Sequence, residues 1–335
     1  MATMKDVCRE TGLSLATISK YINGGTVKEK NRIIIEEAIN RLGFTANEFA
    51  RSLKTKRSHT IGVVIPDLRN IFITTIISCM EDILRKSGYS VMVCDCQGDT
   101  EQEKEAVKFL LGKCVDGIVN MPISHDGSHL DPAIEHNVPI VLIDRQINRL
   151  EGRVNAVLVD NISGSSGAIS HLLDAGHKEI GVILGPKHIF TSVQRKLGYD
   201  KAMIQRGLLP NDSHIIYSDY TVHGGYESML SLLKQKNITA VFVSNYEMTL
   251  GAMIAVNDLG VRIPTELSFI GFDNDHLSRV MRPKLTMVTQ PLNEIGEEVA
   301  AILLKQLPED PEQRENTVVT LPTSILQGES VQTNL

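Results

Sequence analysis

The sequence has few of the features that mark secreted, membrane-bound and disulfide-linked proteins. It contains only five cysteines in 335 residues. An odd number in a chain of this length argues against a disulfide framework and favours a reducing compartment. No apolar run is long enough to cross a membrane, and the N-terminus lacks the apolar core of a signal peptide. We therefore expect a cytoplasmic protein that has no membrane partner.

Motifs for catalysis, metal binding and nucleotide binding are missing as well. No residues follow the nucleophile, base and orienter pattern of a hydrolase. The small residues at 163–167 indicate only the start of a helix, not a phosphate loop. Cys94 and Cys96 lack the second pair of ligands that a zinc site needs, so we interpret them as buried or unreactive thiols. The sequence predicts neither an enzyme nor a bound cofactor or metal.

Charge is distributed unevenly along the chain. The net charge is −6, but residues 1–59 contain 11 Lys and Arg against 6 Asp and Glu, which leaves −11 for the remaining 276 residues. A basic head on an acidic body is typical of a nucleic-acid binder with a separate sensing domain. Chance clustering of charge is the alternative. The length itself favours two or three domains.

Residues 3–22 have the pattern of two short helices joined by a glycine turn. Thr3 and Asp6 have the spacing of a capping box. Gly12 can end the first helix in the left-handed conformation, and Ser14 can cap the second. This arrangement is typical of a DNA-reading head, although a plain helical hairpin packed into a core would show the same pattern.

The second of these helices is predicted to be amphipathic. Leu15, Ile18 and Ile22 lie on one apolar stripe. The opposite face carries small, hydroxylated and basic side chains, which fit a major groove because they avoid clashes and can donate to base edges. These outward residues are Ala16, Thr17, Ser19 and Lys20.

A third helix and a short basic segment complete the N-terminal region. The third helix is predicted at about 29–42. Asn47 can cap a further helix of about two turns that ends near Lys54, and a helix so short is unstable alone in water, so we expect a partner to order it. The residues of the third helix that are predicted to cover the first two are Ile34, Ala38, Ile39 and Leu42.

From Ile61 onward, short apolar runs alternate with helical stretches. Such strands are typical of parallel sheets covered on both faces, and the rhythm occurs twice, so we predict two doubly wound α/β subdomains in series. The predicted strands are 61–65, 91–94, 117–119 and 139–143 in the first run and 156–159, 180–184, 215–217, 240–243 and 268–271 in the second. A strand at 286–290, a helix at 291–307, a last strand at 318–321 and a frayed tail from Ser330 follow.

Polar and aromatic residues follow several of these strands or begin the next helices. Ligands of open parallel sheets bind beyond the carboxyl ends of the strands, and two facing sheets form a cleft. Hydrogen-bonding groups around an aromatic face suit a small polyhydroxylated ligand, although each residue taken singly is more often a cap or turn former. The residues are Asp67, Asp160, Arg195, Tyr220, Asn245, Asp273 and Gln290.

Five short motifs occur in a characteristic order: Lys5-Asp-Val, Gly12-Leu-Ser, Thr17-Ile-Ser-Lys, Asn47-x-x-Ala-Arg-x-Leu53 and Ile61-Gly-Val-Val-Ile-Pro-Asp67. They resemble the lactose/galactose repressor family of transcription regulators, over residues 2 to about 330. The resemblance implies a helix-turn-helix domain at 1–46, a hinge helix and linker at 47–59, and a core like that of periplasmic binding proteins. The implied N-subdomain is 60–158 with 289–321, and the C-subdomain is 159–288 with 322–330.

The resemblance assigns DNA-binding roles to individual residues. Leu15, Ala16 and Lys20 match base-reading positions of the family. Leu53 matches the leucine that wedges into the minor groove at the operator centre, and such an apolar wedge kinks the duplex. The full set predicted to bind DNA is Thr3, Ser14, Leu15, Ala16, Thr17, Ser19, Lys20, Asn23, Asn47, Ala50, Arg51, Leu53 and Lys54.

The resemblance also points to an effector site. Arg195, Asn245 and Asp273 match effector contacts, and Tyr220 matches the aromatic residue that stacks on the ligand. An arginine fork with a carboxylate can clamp neighbouring hydroxyls, or the arginine can hold an acidic group. The full predicted set is Asp67, Phe72, Asp160, Arg195, Tyr220, Asn245, Asp273 and Gln290, with Asp160 and Gln290 as weaker matches.

Three positions depart from the family pattern. Ala46 stands where the family usually has proline, so the hinge helix has a less sharply defined start. Asn70-Ile-Phe-Ile73 replaces Asn-Pro-Phe-Phe, which removes one aromatic residue near the ligand. Tyr246 replaces the aspartate usual after Asn245, which leaves room for a different ligand.

We predict a transcription factor, with repression as the expected effect, that binds a near-palindromic operator as a homodimer. A small molecule, expected to be a carbohydrate, would close the cleft, change the dimer interface and so decide whether the hinge helices pair. A solute-binding protein of transport would share the two-lobed body but would need a signal peptide and no basic head. A nucleotide-dependent enzyme would share the sheets but needs the missing phosphate loop.

Overall fold

The computed structural model describes residues 2–22, 25–44, 57–235, 237–273, 275–308 and 310–334. Contacts divide the chain into two compact units, Met1–Ser58 and His59–Leu335. The first unit is helical where it is described, and the second is mixed α/β. None of the described helices is long and apolar enough to cross a membrane.

The N-terminal unit contains α1 (Met4–Thr11), α2 (Leu15–Ile22) and α3 (Glu29–Leu42). The predicted capping box begins α1, because Thr3 Oγ1 accepts from the Asp6 backbone N–H and the Asp6 side chain accepts from the Thr3 backbone N–H at 2.9 Å. Gly12 ends α1 with a φ of +68°, a conformation that strains residues with a Cβ.

The core of this unit differs in detail from the predicted one. Ile18 is fully buried, as expected, but Leu15 is 49% exposed. Helical side chains lean toward the N-terminus of their helix, so the first residue of α2 extends beyond the packed face. On α3, Ile34 is only half-buried. The buried core residues are Val7, Ile18, Ile35, Ala38 and Phe44.

In the second unit, the predicted strands lie within a few residues of their predicted bounds. The strands are β1 (Thr60–Ile65), β2 (Ser90–Asp95), β3 (Gly117–Asn120), β4 (Ile140–Ile143), β5 (Asn155–Val159), β6 (Ile180–Leu184), β7 (Ile215–Tyr217), β8 (Ala240–Val243), β9 (Ser268–Phe272), β10 (Thr286–Thr289), β11 (Val318–Leu321) and β12 (Ser324–Leu326). Only β12 was not predicted.

Helices of the second unit lie between most of these strands, as is typical of βαβ units, but no α-helix lies between β4 and β5 or between β11 and β12. The helices are α4 (Ile71–Lys86), α5 (Thr100–Gly112), α6 (Asp131–Glu135), α7 (Asn161–Asp174), α8 (Phe190–Gln205), α9 (Val222–Leu233), α10 (Tyr246–Asp258), α11 (Asp275–Val280) and α12 (Leu292–Gln306).

The strands form two six-stranded sheets with the same pattern of order, β11-β5-β4-β3-β1-β2 and β12-β10-β9-β8-β6-β7. Pairing in the first sheet is parallel, and in the second only β12 runs antiparallel, against β10. The predicted fold class is confirmed. β5 followed the rhythm of the second run in the sequence but pairs with β4 and β11 in the first sheet.

Both faces of each sheet are covered. On β1, Ile61, Val63 and Ile65 pack in the core cluster that includes α4 and α12, while Val64 packs in a second cluster with α5. Gly62 faces α5 closely, since a Cβ there would lie 2.6 Å from Leu110 Cδ1. Two further clusters cover the second sheet. We call the first sheet with α4–α6 and α12 the first lobe, and the second sheet with α7–α11 the second lobe.

The chain passes between the two sheets three times, after β5, after β10 and between β11 and β12. The prediction of a frayed tail is wrong. Ser330 is fully buried, and its Oγ donates to the Phe269 carbonyl at 2.5 Å. The Asn334 backbone N–H donates to the Ala175 carbonyl at 2.7 Å. The tail therefore packs on the second lobe.

Candidate functional site

Helix α2 presents a polar face on the N-terminal unit. Ala16 and Lys20 are exposed, as is Leu15 at the start of the helix, while Thr17 is half-buried. Ser14 caps α2, because its Oγ accepts from the Thr17 backbone N–H at 3.3 Å. A capped helix with exposed small and basic side chains can place donors at base edges.

Some predicted DNA-binding residues are helix caps or are half-buried, and others lie outside the described part of the chain. Thr3 is exposed and caps α1, and Ser19 is half-buried on α2. The remaining predicted residues lie outside the described part of the chain, so their roles stay predictions. They are Asn23, Asn47, Ala50, Arg51, Leu53 and Lys54.

A cavity of about 1430 Å³ opens at the carboxyl ends of both sheets. Its walls are the loops after β1–β4 in the first lobe and after β6–β10 in the second. Parallel sheets bind ligands at this position. We call this cavity the cleft. The predicted effector residues that line it are Asp67, Phe72, Arg195, Tyr220, Asn245, Asp273 and Gln290.

Arg195 on α8 is held rigidly in the cleft wall, with only 3% of its surface exposed. Its Nε donates to Asn161 Oδ1 at 2.8 Å, and its Nη1 donates to the Ser244 carbonyl. The guanidinium carbon also lies 3.9 Å from the centre of the Phe272 ring. A fork fixed in this way presents its remaining N–H groups in one direction.

Asp273 and Gln290 form a second polar group in the cleft. The Gln290 Nε2 donates to Asp273 Oδ1, and Asp273 has a φ of +76° directly after β9. Burial raises the pKa of the Asp273 carboxyl, and the nearby charge of Arg195 opposes this shift. The pair supplies acceptor oxygens deep in the cleft.

Tyr220 forms an aromatic wall of the cleft. Its ring lies against Gly185, where a Cβ would be only 2.0 Å from the ring. Its hydroxyl hydrogen-bonds with Thr191 Oγ1 at 2.8 Å and with Ser192 Oγ at 2.7 Å. Tyr220 also has a φ of +63°, and a bulky residue in this region is strained, which is typical of ligand-binding positions.

Asn245 and Glu247 lie at the start of α10. Asn245 Oδ1 accepts from the Met248 backbone N–H at 3.0 Å, and its Nδ2 donates to Glu247 Oε2 at 2.6 Å. Burial raises the pKa of Glu247 to about 7, and the charges of Asp273 and Asp67 act in the same direction. The cleft therefore contains a carboxyl group that titrates near neutral pH.

The other predicted effector residues have less direct roles. The Asp67 carboxylate accepts from Arg69 Nε at 3.0 Å and Nη2 at 2.9 Å, which lowers the pKa of Asp67. Phe72 lies on α4 and packs against the core of the first lobe. Asp160 does not line the cleft; its carboxylate caps α7 by accepting from the Ser163 backbone N–H at 2.9 Å. The alternative interpretation as a helix cap therefore describes Asp160 best.

Many of the polar residues that line the cleft were not predicted from the sequence, Glu247 and Thr191 among them. Asp144 follows β4 directly, has a φ of +65° and is 91% buried, so the strand-end rule that selected Asp67 could have found it. Others come from connections between strands and helices that carry no periodic signal, and these include His125, His129, Arg145 and His188.

Three buried polar atoms on the cleft wall have no hydrogen-bond partner among the described residues. They are His129 Nδ1, Arg145 Nε and Gln290 Oε1. A buried polar group without a partner costs about 1–3 kcal/mol. A ligand with donors and acceptors could recover part of that free energy.

Metal and thiol chemistry have little support within the described residues. No three His, Cys, Asp or Glu side chains there are placed to hold a metal ion. Burial raises the pKa of Cys94 and raises that of Cys96 to about 12. Both thiols are therefore protonated at neutral pH.

Comparison with known proteins places this architecture in a family. The family model of bacterial regulatory proteins, lacI family, matches residues 3–47, and the model of a periplasmic binding protein-like domain matches residues 169–331. Catabolite control protein A of Priestia megaterium is 34% identical over 326 residues, which cover 96% of this chain and 97% of that protein. The chain belongs to the lacI family.

Solved structures of lacI-family proteins share the fold. The lac repressor dimer bound to operator and the anti-inducer ONPF matches with a TM-score of 0.87 at 25% identity, over 99% of both chains. The complex of the transcriptional regulator CelR with cellobiose matches with a TM-score of 0.74 at 26% identity, over 98% of this chain and 100% of that chain. The family resemblance found in the sequence is confirmed.

Membership of the lacI family makes this protein a DNA-binding transcription regulator. Its relatives are transcription regulators, which are not enzymes. The alternative of a solute-binding protein for transport is not favoured, because the chain carries the lacI-family DNA-binding domain at residues 3–47.

Proposed function

We propose that the protein is a repressor that binds a near-palindromic operator as a homodimer, and that a carbohydrate in the cleft controls this binding. The observation that carries the effector part is the set of fixed hydrogen-bonding side chains around Tyr220, namely Arg195, Asn245 and Asp273. We place the protein in the cytoplasm, where bacterial DNA lies. The proposed role needs no catalytic step.

At the operator, α2 would enter the major groove. Lys20 and Ala16 are exposed on this helix, and Leu15 projects from its start. Lysine can donate to guanine O6 and N7, and small side chains allow close approach to thymine methyl groups. Ser14 and Thr3 cap helices whose N-terminal N–H groups can bind phosphate.

In the cleft, the side chains match the needs of a sugar. Each hydroxyl can donate and accept, so it can bond with the Arg195 N–H groups and the Asp273 carboxylate together. Asn245 adds a further N–H on Nδ2 beyond the one given to Glu247. The Tyr220 ring can cover the apolar C–H face of a pyranose or furanose.

The relatives support this ligand class. The CelR structure contains cellobiose, and the lac repressor structure contains the anti-inducer ONPF on a dimer bound to operator. Tyr246 and Glu247 follow Asn245 in this chain, so we expect its preferred sugar to differ from those ligands.

Control by the effector requires a difference in affinity between two states of the protein. We retain the predicted hinge at 47–59 and the predicted subdomains, 60–158 with 289–321 and 159–288 with 322–330, as part of the proposal. Effector binding would close the lobes on each other and change the pairing of the hinge helices. A coupling free energy of about 1–3 kcal/mol, or roughly 5–150-fold in affinity, is typical of such systems.

The proposal is tested by selecting operator DNA with the full-length protein from a random duplex library. Thermal-shift screening against carbohydrates and nucleosides then identifies the effector. We expect a two-fold symmetric operator whose affinity changes when a sugar is added. Selection of no preferred sequence, or stabilisation by nucleosides and no sugar, would contradict the proposal.

Arg195→Lys tests the effector site. Lysine keeps a positive charge near Asp273 but loses the fork, so sugar affinity should fall by about tenfold or more while operator binding without sugar is unchanged. Asp160→Asn is the matched control, because asparagine caps α7 equally well and the residue lies outside the cleft. Calorimetry showing equal sugar affinity in Arg195→Lys and wild type would remove Arg195 from the site.

A further inference from the structure

Two histidines from opposite lobes meet at one side of the cleft. His125 lies in the loop after β3, and His188 lies between β6 and α8. Their ring centres are 4.7 Å apart and the ring planes are inclined at 83°, an edge-to-face contact. Both rings line the cleft and also a neighbouring cavity of about 360 Å³, so the pair stands between these two spaces.

The loop that carries His125 is fixed on both sides of this residue. Before it, the fully buried Glu103 carboxylate accepts from the backbone N–H groups of Ile123 and Ser124, each at 2.9 Å. After it, Asp126 accepts from the Ser128 backbone N–H at 3.0 Å. Hydrogen bonds from Ser128 and Ser124 lower the pKa of Asp126 to about 2, so this anchor stays ionised. The backbone on both sides of His125 is therefore fixed by hydrogen bonds.

His188 lies next to the helix of the second lobe that carries proposed binding residues. His188 directly precedes Ile189, the N-cap of α8. The Ile189 backbone N–H donates to the Pro186 carbonyl at 3.0 Å. Thr191 and Arg195 follow on α8 and line the cleft. A contact at His188 therefore connects the first lobe with the helix that carries the proposed effector arginine.

The surroundings of His125 favour its neutral form. Burial is the main cause that lowers the pKa of His125, and the ring of His188 and the cation of Arg145 act in the same direction. Asp126 and Glu103 act in the opposite direction but with smaller effect. A proton on His125 would place a positive charge against the His188 ring and near Arg145.

We infer that His125 and His188 are positioning residues of the binding site, whose ring contact holds the two lobes together at the cleft while His125 is neutral and is lost when His125 is protonated. Since the neutral form of His125 is favoured where its ring meets His188, the contact stabilises this arrangement of the lobes fully above the ordinary histidine pKa of about 6.5. The stabilisation is lost as the pH falls through the lower pKa of His125.

Only the consequence for effector binding depends on the proposed function. Lobe closure itself can be measured without sugar or DNA, so failure of the effector proposal and failure of this inference are distinguishable. If both hold, sugar affinity should be higher at about pH 8 than at a pH below the measured pKa of His125.

The test is a double-mutant cycle of His125→Ala and His188→Ala in the full-length protein, followed by thermal unfolding at about pH 8 and at a pH below the His125 pKa measured from the imidazole proton resonances. At the higher pH each single variant should lower the Tm by roughly 2 °C, and the double variant should lower it by less than the two together. At the lower pH the coupling should vanish. His136→Ala, a change of an exposed histidine in the first lobe, is the control and should show no coupling with His188→Ala.

Two further measurements test whether the His125–His188 contact holds the lobes together or affects only the two rings. His188→Ala should raise the pKa of His125, measured from the imidazole proton resonances, toward the ordinary value. Amide exchange of Ser124 and Val193, whose N–H groups donate to Glu103 and Ile189, should be faster at neutral pH in His125→Ala than in wild type, whereas His125→Phe should keep slow exchange and lose the pH dependence. Coupling that is absent at pH 8 or equal at both pH values, or exchange unchanged in His125→Ala, would overturn the inference.

Discussion

The two units of the chain contrast in charge and in the size of their cores. Among the described residues, the N-terminal unit packs around five buried side chains, whereas four separate clusters form the core of the second unit. Residues 1–59 carry net positive charge and the remainder is strongly negative. A small core leaves little reserve of stability, while a large core can tolerate strained and buried polar residues such as Tyr220 and Asp273.

The largest expected difference between the units is their response to salt. Operator binding through the basic N-terminal unit should weaken by about 10³-fold or more between 50 and 200 mM salt, because bound cations are released from several phosphates. Sugar binding in the cleft, which relies on short-range hydrogen bonds, should change by less than about twofold. Fluorescence anisotropy and calorimetry on the same preparation measure both. Equal salt dependence of the operator and sugar affinities would contradict this difference between the two units.

The cores can be compared by removing the same atoms from each. Ile18 in the N-terminal unit and Ile183 in the second lobe are both fully buried, and truncation of either to alanine should cost about 2–5 kcal/mol. Ile18→Ala should abolish operator binding without shifting the thermal transition of the larger unit. Ile183→Ala should lower that transition by several degrees and leave operator binding intact.

Scanning calorimetry with DNA-binding assays distinguishes these outcomes. One transition that both substitutions shift equally would show that the two cores unfold together.

The smallest expected effect concerns the carboxyl groups that the larger core tolerates. The pKa of Glu247 is raised from 4.5 to about 7, so the folded protein binds a proton more tightly than the unfolded chain between these values. The free energy of unfolding should therefore fall as the pH rises through this range. Glu247→Gln should remove this dependence and be more stable than wild type at pH 8, by on the order of 2 kcal/mol, but not at pH 4.5.

Urea unfolding at both pH values provides the measurement. Glu101→Gln is the control, since Glu101 also lines the cleft but 78% of its side-chain surface is exposed. If the free energy of unfolding of Glu247→Gln changed with pH in the same way as that of wild type, Glu247 would be well solvated.

Apolar periodicity was enough to predict the sheets. Runs such as 180–184 and 240–243 are apolar at every position because both of their faces are covered, and their short length favours a buried strand over a buried helix. The periodicity could not assign β5 to its sheet, since the strand has the same composition whichever sheet it joins. It also missed β12, whose three residues are all exposed.

The residues of the cleft were predicted in part, since sheet topology indicates only those that directly follow a strand. Residues directly after strands, such as Asn245 and Asp273, follow from the topology of parallel sheets. Asp160 satisfied the same rule but serves as a helix cap. The His125–His188 contact joins two loops far apart in the sequence, and nothing in the local pattern around either residue indicates the other.

The order of the strands has a consequence for how the protein is made. β11 and β12 are neighbours in the chain, yet each forms an edge of a different sheet. Residues 318–326 emerge from the ribosome after all the other strands, so neither lobe can be finished during synthesis before the other. A nonsense mutation just upstream of Val318 would leave two incomplete lobes with unpaired edges, a product that quality-control proteases should remove.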